Sequence, residues 1–503
     1  MSPRGRRGRS RGERPRRLPE PEEPELVIAL VAGVGAPLDR VQTTLESELR
    51  NLAYRSEVIH LSKLTRSFAG LRTPLPRSSA NEAVRIDAMM DRGDQAREAT
   101  GRNDILALAA IGEILSKRGS GTTPLSRRAF ILRQLKRPEE VFRLRETYGD
   151  GFHLVGIYCP KHIREGELRR RGVSQDDVNR LIERDEHEPS ESGQQLRDTF
   201  CLADVFVDGS YERTRQAGLR RFLDLLFGLG IRTPSQDEFG MFQAFASSLR
   251  SGQLGRQVGA AILSPAGDLI SVGTNEVPRH GGGSYWESDP NDQRDHRRRQ
   301  DSSDALRQEI VWEITERLSP RWEELSTAGK RRLVQANLER LRSTTVTHLT
   351  EFGRAVHAEA EAILSAARTG LSIRGGRLYC TTFPCHVCAK HIVGAGIGEV
   401  IYIEPYPKSK ALALHDDSIV LERRANRRVV FRSFLGIAPR RFSDYFSMRT
   451  ADGVEIRRKD SQGRPLLNEK SLRLRMPYFS ALDREKQAAA ELTAHTRRPG
   501  RQR

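Results

Sequence analysis

The sequence predicts an α/β protein with two units, and three of its features support this interpretation. The chain has 503 residues, more than one hydrophobic core usually organises. Strand-like and helix-like stretches alternate from Leu26 to Phe227, which predicts a parallel sheet with helices on both faces. A second alternation begins near Asp237 with a helix and a strand hairpin, and it predicts a three-layer α/β/α unit.

These patterns divide the chain into four parts. Residues 1–24 are an Arg-rich arm that we expect to be disordered, and residues 25–232 are the first α/β unit. The second unit covers residues 237–450 and contains an insertion at about 281–352. Residues 451–503 are a C-terminal extension that ends in a basic tail.

The first unit is predicted from apolar runs that are separated by turn signals and helical periodicity. Its expected strands are Leu26–Ala32, Val58–Leu61, Phe130–Leu135, Phe152–Cys159 and Val205–Val207. Its expected helices are Asp39–Leu52, Glu82–Met90, Asp104–Ser116, Glu139–Thr147 and Tyr211–Phe227, with further helices between Arg164 and Asp185.

The second unit is predicted in the order α-β-β-α-β-α-β. Its expected helices are Phe239–Arg250, Arg354–Arg368 and Cys385–Gly394, and its expected strands are Val258–Leu263, Leu269–Thr274, Arg377–Thr382 and Val400–Glu404. The segment Ser264–Asp268 contains Pro and Gly and is typical of a hairpin turn. The insertion is polar and charged at first, and we expect it to be helical from about Ala305 to Leu341.

Charge and hydropathy limit the functions that the chain can have. The formal net charge is +18, but residues 1–17 contribute +7 and residues 497–503 contribute +4, which leaves the body near +7. That modest excess suits phosphorylated small molecules as well as a polynucleotide. The longest apolar run, Leu26–Leu38, is too short to cross a membrane, and no secretory signal is apparent, so we expect a cytoplasmic protein without membrane contact.

Cysteine usage directs attention to one short pattern. Five cysteines are too few for a disulfide scaffold, and two of them form Pro384-Cys385-x-x-Cys388. Chance would give this pattern roughly 0.002 times in such a chain, against about 1.6 times for a His-x-acidic triplet such as His357-Ala-Glu359. The Cys pair is therefore the stronger sequence evidence for a metal site.

The residue types fit a catalytic zinc ion. One His and two Cys provide three ligands and leave a fourth position for water. We expect both thiols in the first turn of a helix, with Pro384 at its start, because the helix dipole there favours the thiolate form. If His357 and Glu359 share a helix, the spacing of two residues directs Glu359 away from the ligand and toward the bound water.

These motifs resemble the CMP/dCMP deaminase family. The resemblance covers residues 239–406 and also includes Arg256-Gln-Val-Gly-Ala-Ala-Ile262 and Gly273-Thr-Asn275-Glu-Val-Pro278. It implies zinc-dependent attack of water on C4 of cytosine, with Glu359 as the proton carrier and uracil and ammonia as products. It also implies that Asn275 contacts the nucleoside and that Tyr406 completes the pocket.

Each of the three additional site candidates has a simpler interpretation. Asn275 could be an ordinary turn residue, and Tyr406 could belong to the core. Arg256 could reach a phosphate, but the sequence favours an ordinary surface arginine at this position.

The first unit alternates strands and helices, with Ala203–Asp208 near its end and an Arg-rich helical stretch at Arg164–Arg184. In these features it resembles a nucleoside-phosphate kinase, but one without a proper phosphate loop. The loop begins at Gly33, but Leu38 and Asp39 occupy the places of the second glycine and the lysine, so phosphoryl transfer is not expected. Its backbone N–H groups could hold a phosphate, or the loop could serve only in packing. The fusion resembles bacterial two-domain deoxycytidylate deaminases associated with anti-phage defence, which implies depletion of deoxycytidine nucleotides. It further implies a homo-oligomer and regulation through the first unit by a nucleotide or RNA.

Three alternatives remain open at this stage. The zinc could be structural, with a fourth ligand from Cys380, His386 or His391. The enzyme could act on a cytosine base in single-stranded nucleic acid, although aromatic residues are only 6% of the chain. The protein could also be regulatory, with an inert zinc site.

Overall fold

A computed structural model describes residues 24–77, 80–119, 125–186, 193–341, 344, 353–406, 408–421, 427–449, 453, 455–466, 472–474 and 476–496. The basic arm, apart from its last residue, and the basic tail at 497–503 lie outside these ranges. Within them, no helix has both the length and the apolar character needed to cross a membrane.

The described residues contain two six-stranded sheets and the helices that cover them. The strands are β1 (Leu26–Ala32), β2 (Arg55–His60), β3 (Arg128–Arg133), β4 (Phe152–Tyr158), β5 (Val205–Asp208), β6 (Gly259–Leu263), β7 (Leu269–Thr274), β8 (Arg377–Thr382), β9 (Glu399–Glu404), β10 (Ile419–Leu421), β11 (Val429–Ser433) and β12 (Gly436–Ile437). The helices are α1 (Leu38–Asn51), α2 (Leu61–Leu64), α3 (Glu82–Thr100), α4 (Ile105–Lys117), α5 (Pro138–Tyr148), α6 (Lys161–Arg170), α7 (Gln175–Glu186), α8 (Leu196–Cys201), α9 (Glu212–Leu226), α10 (Gln236–Ser248), α11 (Asp295–Arg298), α12 (Ser302–Leu318), α13 (Thr327–Leu341), α14 (Ala358–Thr369), α15 (His386–Gly394), α16 (Ala411–Leu414), α17 (Phe442–Phe446) and α18 (Tyr478–Thr496).

The first sheet has the order β12-β5-β4-β1-β3-β2, and its first five strands along the chain are parallel. Alternate residues of β1 enter different cores, as the period of a strand requires. Val27 and Ala29 join the core that contains α4 and α5. Leu26 and Ile28 join the core that contains α1 and α9, so helices cover both faces of the sheet.

The second sheet has the order β10-β11-β9-β8-β6-β7 and is also covered on both faces. Ala261 of β6 packs with residues of α10. Ala260 and Ile262, which point the other way, pack with residues of α14 and α15. The hairpin between β6 and β7 closes where the Ser264 N–H donates to the Asp268 carbonyl over 2.8 Å. The predicted α/β fold class, including the three-layer second unit, is confirmed.

The structure also corrects several sequence-based expectations. β7 and β8 have the predicted bounds, but α14 begins at Ala358 and not at Arg354. The insertion contains two long helices, α12 and α13, in place of one helical stretch. Strands β10, β11 and β12 were not predicted, because strands of two to five residues carry little periodicity.

The two units are joined by a short segment that leaves the second sheet and enters the first. Strand β12 pairs antiparallel with β5, with Ile437 opposite Val205. Just beyond it, the Ala438 N–H donates to the Asp204 carbonyl over 2.9 Å. The Asp204 carboxylate is fully buried and accepts from the Leu154 N–H at 2.8 Å.

Three guanidinium groups surround this carboxylate. Arg145 donates to Asp204 over 2.9 Å and Arg441 over 3.2 Å, while Arg440 lies 3.8 Å away. Burial alone would raise the pKa of Asp204, but the combined charge of the three arginines holds it below its ordinary value. Two of those arginines follow β12, so the carboxylate ties the second unit to the first.

The C-terminal extension also returns to the first unit. Helix α18 packs across α4 and α5. Arg118, at the end of α4, forms buried ion pairs with Glu25 before β1 and with Glu485 of α18. Because a buried guanidinium needs such partners, these contacts fix the position of α18 on the first unit.

We predict that Asp204→Asn lowers the free energy of unfolding by about 3–5 kcal/mol at pH 7, because it leaves buried guanidinium groups without their carboxylate. Asp150→Asn is the matched control, since Asp150 also pairs with Arg441 but is 46% exposed, and it should cost less than about 1 kcal/mol. Urea unfolding of both variants measures the difference.

The lowered pKa of Asp204 predicts that the effect of this substitution depends on pH. Since the folded-state pKa of Asp204 lies below its unfolded value, the carboxylate contributes its full stability above the unfolded-state pKa. This contribution is lost as the pH falls through the folded-state pKa. The difference in the free energy of unfolding between wild type and Asp204→Asn should therefore become smaller from pH 7 to pH 3. A difference that does not change with pH would contradict this account, and so would an equal loss of stability in Asp204→Asn and Asp150→Asn.

Candidate metal centre and substrate cavity

The first turn of α14 is positioned by its close contact with β7. A Cβ atom on Gly273 would lie 2.1 Å from the Ala358 carbonyl oxygen and 2.4 Å from the Ala362 nitrogen, so only glycine allows the helix to come this near. His357 is the N-cap of α14 and has extended backbone angles. The expectation that His357 lies on the helix is wrong, whereas Glu359 does lie in its first turn, buried.

The two cysteines lie at the start of α15. Cys385 is the N-cap residue, and its Sγ accepts a hydrogen bond from the Cys388 N–H over 3.4 Å. The expectation that both thiols lie within the first turn is therefore wrong for Cys385, and Pro384 precedes the cap. A sulfur at the N-cap still faces the unpaired N–H groups of the helix, which favours a thiolate.

Three possible ligand atoms converge between these two helix ends. The Nδ1 atom of His357 is 3.3 Å from Cys385 Sγ and 3.5 Å from Cys388 Sγ. Among the described residues, this group of three has its ligand atoms within 4.8 Å of one another. Cys380, His386 and His391, the candidates for a fourth protein ligand, are not members of it. The group can bind zinc, with the donor set of an open, catalytic site.

The pKa values of these side chains favour the binding of a cation. The hydrogen bond from Cys388 lowers the pKa of Cys385 to about 4, and the hydrogen bond with Cys385 raises the pKa of His357. Burial raises the pKa of Glu359, against the opposing charge of His357. The surroundings of Cys385 therefore favour its thiolate form, and a carboxyl group with a raised pKa lies beside it.

The centre opens into a cavity of about 280 Å³. His357, Glu359 and Cys385 line it together with the three other sequence-derived candidates, Asn275, Tyr406 and Arg256. Sequence reasoning missed a second group of lining residues, which comes from the start of α12: Asp301, Ser303 and Arg307. No local pattern marks these residues, because the fold of the insertion brings them to the cavity.

Asn275 is held firmly by the segment before β6. Its Oδ1 accepts from the Val258 N–H over 2.7 Å, and its Nδ2 donates to the Arg256 carbonyl over 2.9 Å. An amide has two acceptor lone pairs and two N–H donors, so these bonds use half of its capacity. Asn275 both shapes the backbone, as the simpler interpretation requires, and faces the cavity.

Arg256 and Tyr406 contact each other at the opening of the cavity. The Arg256 guanidinium carbon lies 5.3 Å from the centre of the Tyr406 ring, within cation–π range. Arg256 also lies 3.8 Å from Glu404 and its side chain is 52% exposed. Tyr406 is half-buried: it packs against the core formed by α14 and α15 and also lines the cavity.

The glycine loop of the first unit is explained by packing. A Cβ on Gly35, whose φ is +83°, would lie 2.5 Å from the Arg164 carbonyl oxygen, and one on Gly33 would lie 2.5 Å from the Arg164 guanidinium. The Val34 N–H donates to the Asp185 carboxylate over 2.7 Å. Lys136 forms an ion pair with the same carboxylate, so an internal anion occupies the N–H group that a phosphate would need.

A cavity of about 230 Å³ lies beside this loop, at the carboxyl ends of β1 and β3. One part of its lining is apolar and includes Ile86, Met89 and Leu106. The other part carries the cationic side chains of Arg85, Arg97, Arg133, Lys136 and Arg171 together with the acidic Glu82 and Glu140. Asp39, which stands where a phosphate loop has lysine, pairs with Arg133 over 2.6 Å.

Comparison with known proteins identifies the segment that contains the metal centre. Residues 234–404 match the family model of the cytidine and deoxycytidylate deaminase zinc-binding region. The match covers about a third of the chain and contains His357, Glu359, Cys385 and Cys388.

Individual relatives cover different shares of the chain. Deoxycytidylate deaminase of Enterobacteria phage T2 is 51% identical over 55 residues, 11% of this chain and 29% of the relative. Deoxycytidylate deaminase of Mus musculus is 25% identical over 225 residues, 45% of this chain and 89% of the relative. The crystal structure of dCMP deaminase from the cyanophage S-TIM5 is 18% identical, covers 40% of this chain and 99% of that chain, and has a TM-score of 0.22. The chain thus spans under a third of the length of the phage T2 relative.

We predict that Cys388→Ala removes stoichiometric zinc, because two protein ligands do not hold the ion as three do. Cys159→Ala is the matched control, since Cys159 is a buried cysteine in the first unit, and it should keep its zinc. Elemental analysis of the purified variants gives the zinc content. Full zinc occupancy in Cys388→Ala would remove that residue from the ligand set.

We predict that the first unit transfers no phosphoryl group from ATP to any nucleoside monophosphate, since Asp185 occupies the loop and the lysine is missing. The variant Asp185→Ala should be equally inactive, because Leu38 and Asp39 remain in the loop. The measurement is ADP release together with a phosphorylated nucleotide. Detection of both products would contradict the prediction.

Proposed function

We propose that the second unit hydrolyses the 4-amino group of cytosine in free deoxycytidine nucleotides, which converts dCMP or dCTP into dUMP or dUTP and ammonia. The observation that carries this proposal is the buried Glu359 carboxyl group, which lines the same cavity as two of the three converging ligand residues. A purely structural zinc site gives no reason to bury a carboxyl group there, since taking a carboxyl group out of water is costly.

Glu359 would carry the protons of the reaction. Burial raises the pKa of its carboxyl group toward the range in which a group both accepts and returns protons near neutral pH. It would take the first proton of the attacking water and pass it to N3 of the cytosine ring. It would then take the second proton from the hydroxyl group formed at C4 and deliver it to the leaving amine, which departs as ammonia while C4 becomes a carbonyl carbon of uracil. When held by His357, Cys385 and Cys388, zinc would supply the Lewis acidity that makes water nucleophilic at neutral pH.

The other cavity residues would position the nucleotide. Asn275 uses only part of its hydrogen-bonding capacity on the backbone, and the remainder is available to the sugar or the base. Tyr406 offers a ring face beside Arg256, on which a base or sugar could pack. Arg256 is exposed enough to reach a phosphate.

Two observations favour a free nucleotide over a polynucleotide. The start of α12 contributes a wall to the cavity, which suits a small substrate more than a continuous strand. Residues 1–17 and 497–503 account for 11 of the net charge of +18, so the rest of the chain has only a modest positive excess with which to attract nucleic acid.

We also propose that this activity depletes the deoxycytidine nucleotide pool during phage infection, in a cytoplasmic homo-oligomer whose first unit regulates the second. The ion pairs at Asp204 and the shared strand β12 support regulation, because they connect the units rigidly. A nucleotide or RNA phosphate could bind at the cationic part of the first unit's cavity, beside Arg85 and Arg171.

We predict that Glu359→Gln keeps its zinc but loses about 10²–10⁴-fold in turnover of dCMP or dCTP, because the side chain can no longer carry a proton. Glu361→Gln is the matched control: it makes the same change two residues along α14, where Glu361 pairs with Arg368 outside the cavity lining, and it should stay within a few-fold of wild type.

The assay measures ammonia and uracil products from dCMP, dCTP, CMP, CTP and cytosine-containing single-stranded DNA. Near-native turnover by Glu359→Gln would exclude the proposed proton carrier. DNA as the best substrate would favour the polynucleotide alternative, and no product from any substrate would favour an inert zinc site.

A further inference from the structure

The insertion is anchored to the segment that carries the metal ligand His357. Asp295, at the start of α11, is buried and accepts hydrogen bonds from Ser302 Oγ over 3.1 Å and from Arg354 over 3.2 Å. The Arg354 N–H in turn donates to Ser302 Oγ over 3.3 Å. Arg354 precedes His357 by three residues, so these bonds hold the first turn of α12 next to the metal centre.

The start of α12 is well defined and faces the cavity. Asp301 is its N-cap and accepts from the N–H groups of Ser303 and Asp304 over 2.8 and 3.0 Å. Ser303 and Arg307 are one helical turn apart, and both line the cavity. Arg307 Nε donates to the Ser303 carbonyl over 3.1 Å, which directs the side chain along the helix toward its N-terminus.

Arg307 lines the same cavity as a second arginine, Arg256. Its side chain is 36% exposed, and that of Arg256 is 52% exposed. Tyr406 lines the cavity together with both arginines, and the charges of Arg256 and Arg307 oppose the rise in the pKa of Tyr406 that burial causes. Two cations from distant parts of the sequence therefore line the same cavity as this aromatic side chain.

The chemistry of this cavity lining fits a phosphate. A guanidinium group binds phosphate oxygens through two parallel N–H bonds and keeps its charge at any physiological pH. Arg307 now pairs with Asp304 over 2.8 Å, but Asp304 is 62% exposed. An exposed ion pair of this kind contributes little free energy, so a phosphate can displace the carboxylate at small cost.

We propose that Arg307, supplied by the insertion, binds the 5′-phosphate of the substrate and so makes the second unit selective for nucleotides over nucleosides. This assignment rests on the proposed deaminase function. It gives the insertion a role at the active site, since the nucleoside would contact residues of the deaminase core while its phosphate contacts α12. The residue acts in binding and takes no part in proton transfer.

The test compares Arg307→Ala with Arg317→Ala, an exposed arginine of the same helix that lies outside the cavity lining. For Arg307→Ala, kcat/KM should fall about 10- to 100-fold for dCMP and for dCTP, mainly through KM, as expected for the loss of charged hydrogen bonds. The activity on deoxycytidine should change less than about twofold. Arg307→Lys should recover part of the loss, and Arg317→Ala should match wild type.

Three kinetic results would overturn the assignment. They are an unchanged KM for dCMP, an equal loss on deoxycytidine, and a loss confined to dCTP, which would place Arg307 at an outer phosphate. Equilibrium binding of dCMP separates this inference from the function on which it rests. If the wild type binds dCMP but releases no ammonia and Arg307→Ala binds it weakly, the proposed function fails and the phosphate assignment stands. If wild type and variant bind dCMP equally, or neither binds it, the assignment fails.

Discussion

The approach of helix α14 to Gly273 of strand β7 is the contact on which the rest of the site depends. Because this glycine has no Cβ, the helix backbone lies directly on the strand, and the positions of His357 and Glu359 follow from it. The start of α15 then brings Cys385 and Cys388 to the same imidazole. One backbone contact in the α/β/α packing thus decides where a metal ion and a proton carrier can meet.

Buried ion pairs and helix packing hold the two units together, in addition to the chain that connects them. The buried carboxylate of Asp204 in the first unit is neutralised by arginines that follow β12, and α18 returns to pack on α4. Buried ion pairs of this kind are costly to separate, because opening leaves charges without partners. Any change in the first unit that moves β5 therefore acts on the segment that leads back to the second sheet, and the proposed regulation would use this connection.

Much of the fold follows from local sequence pattern, but the arrangement of distant residues does not. β1, β7 and β8 are predicted at their observed bounds because apolar runs between turn signals mark them. His357, Glu359, Cys385 and Cys388 are predicted from their residue types, their spacing and the resemblance to the deaminase family, and the structure brings them together. His357 and Cys385 were predicted inside their helices but are N-cap residues, because the motif does not show at which residue each helix begins. Asp185 at the glycine loop and Arg307 at the cavity have no local signature, because each contact joins residues far apart in the chain.

The central claim is that His357, Cys385 and Cys388 form an open zinc site beside Glu359. X-ray absorption at the zinc edge of the purified protein tests it most directly, because it counts sulfur and imidazole ligands. The account predicts two sulfur atoms at about 2.3 Å, one imidazole nitrogen at about 2.0–2.1 Å and one further light atom that does not belong to an imidazole. A third sulfur or a second imidazole would mean a closed, structural site, and that result would contradict the account.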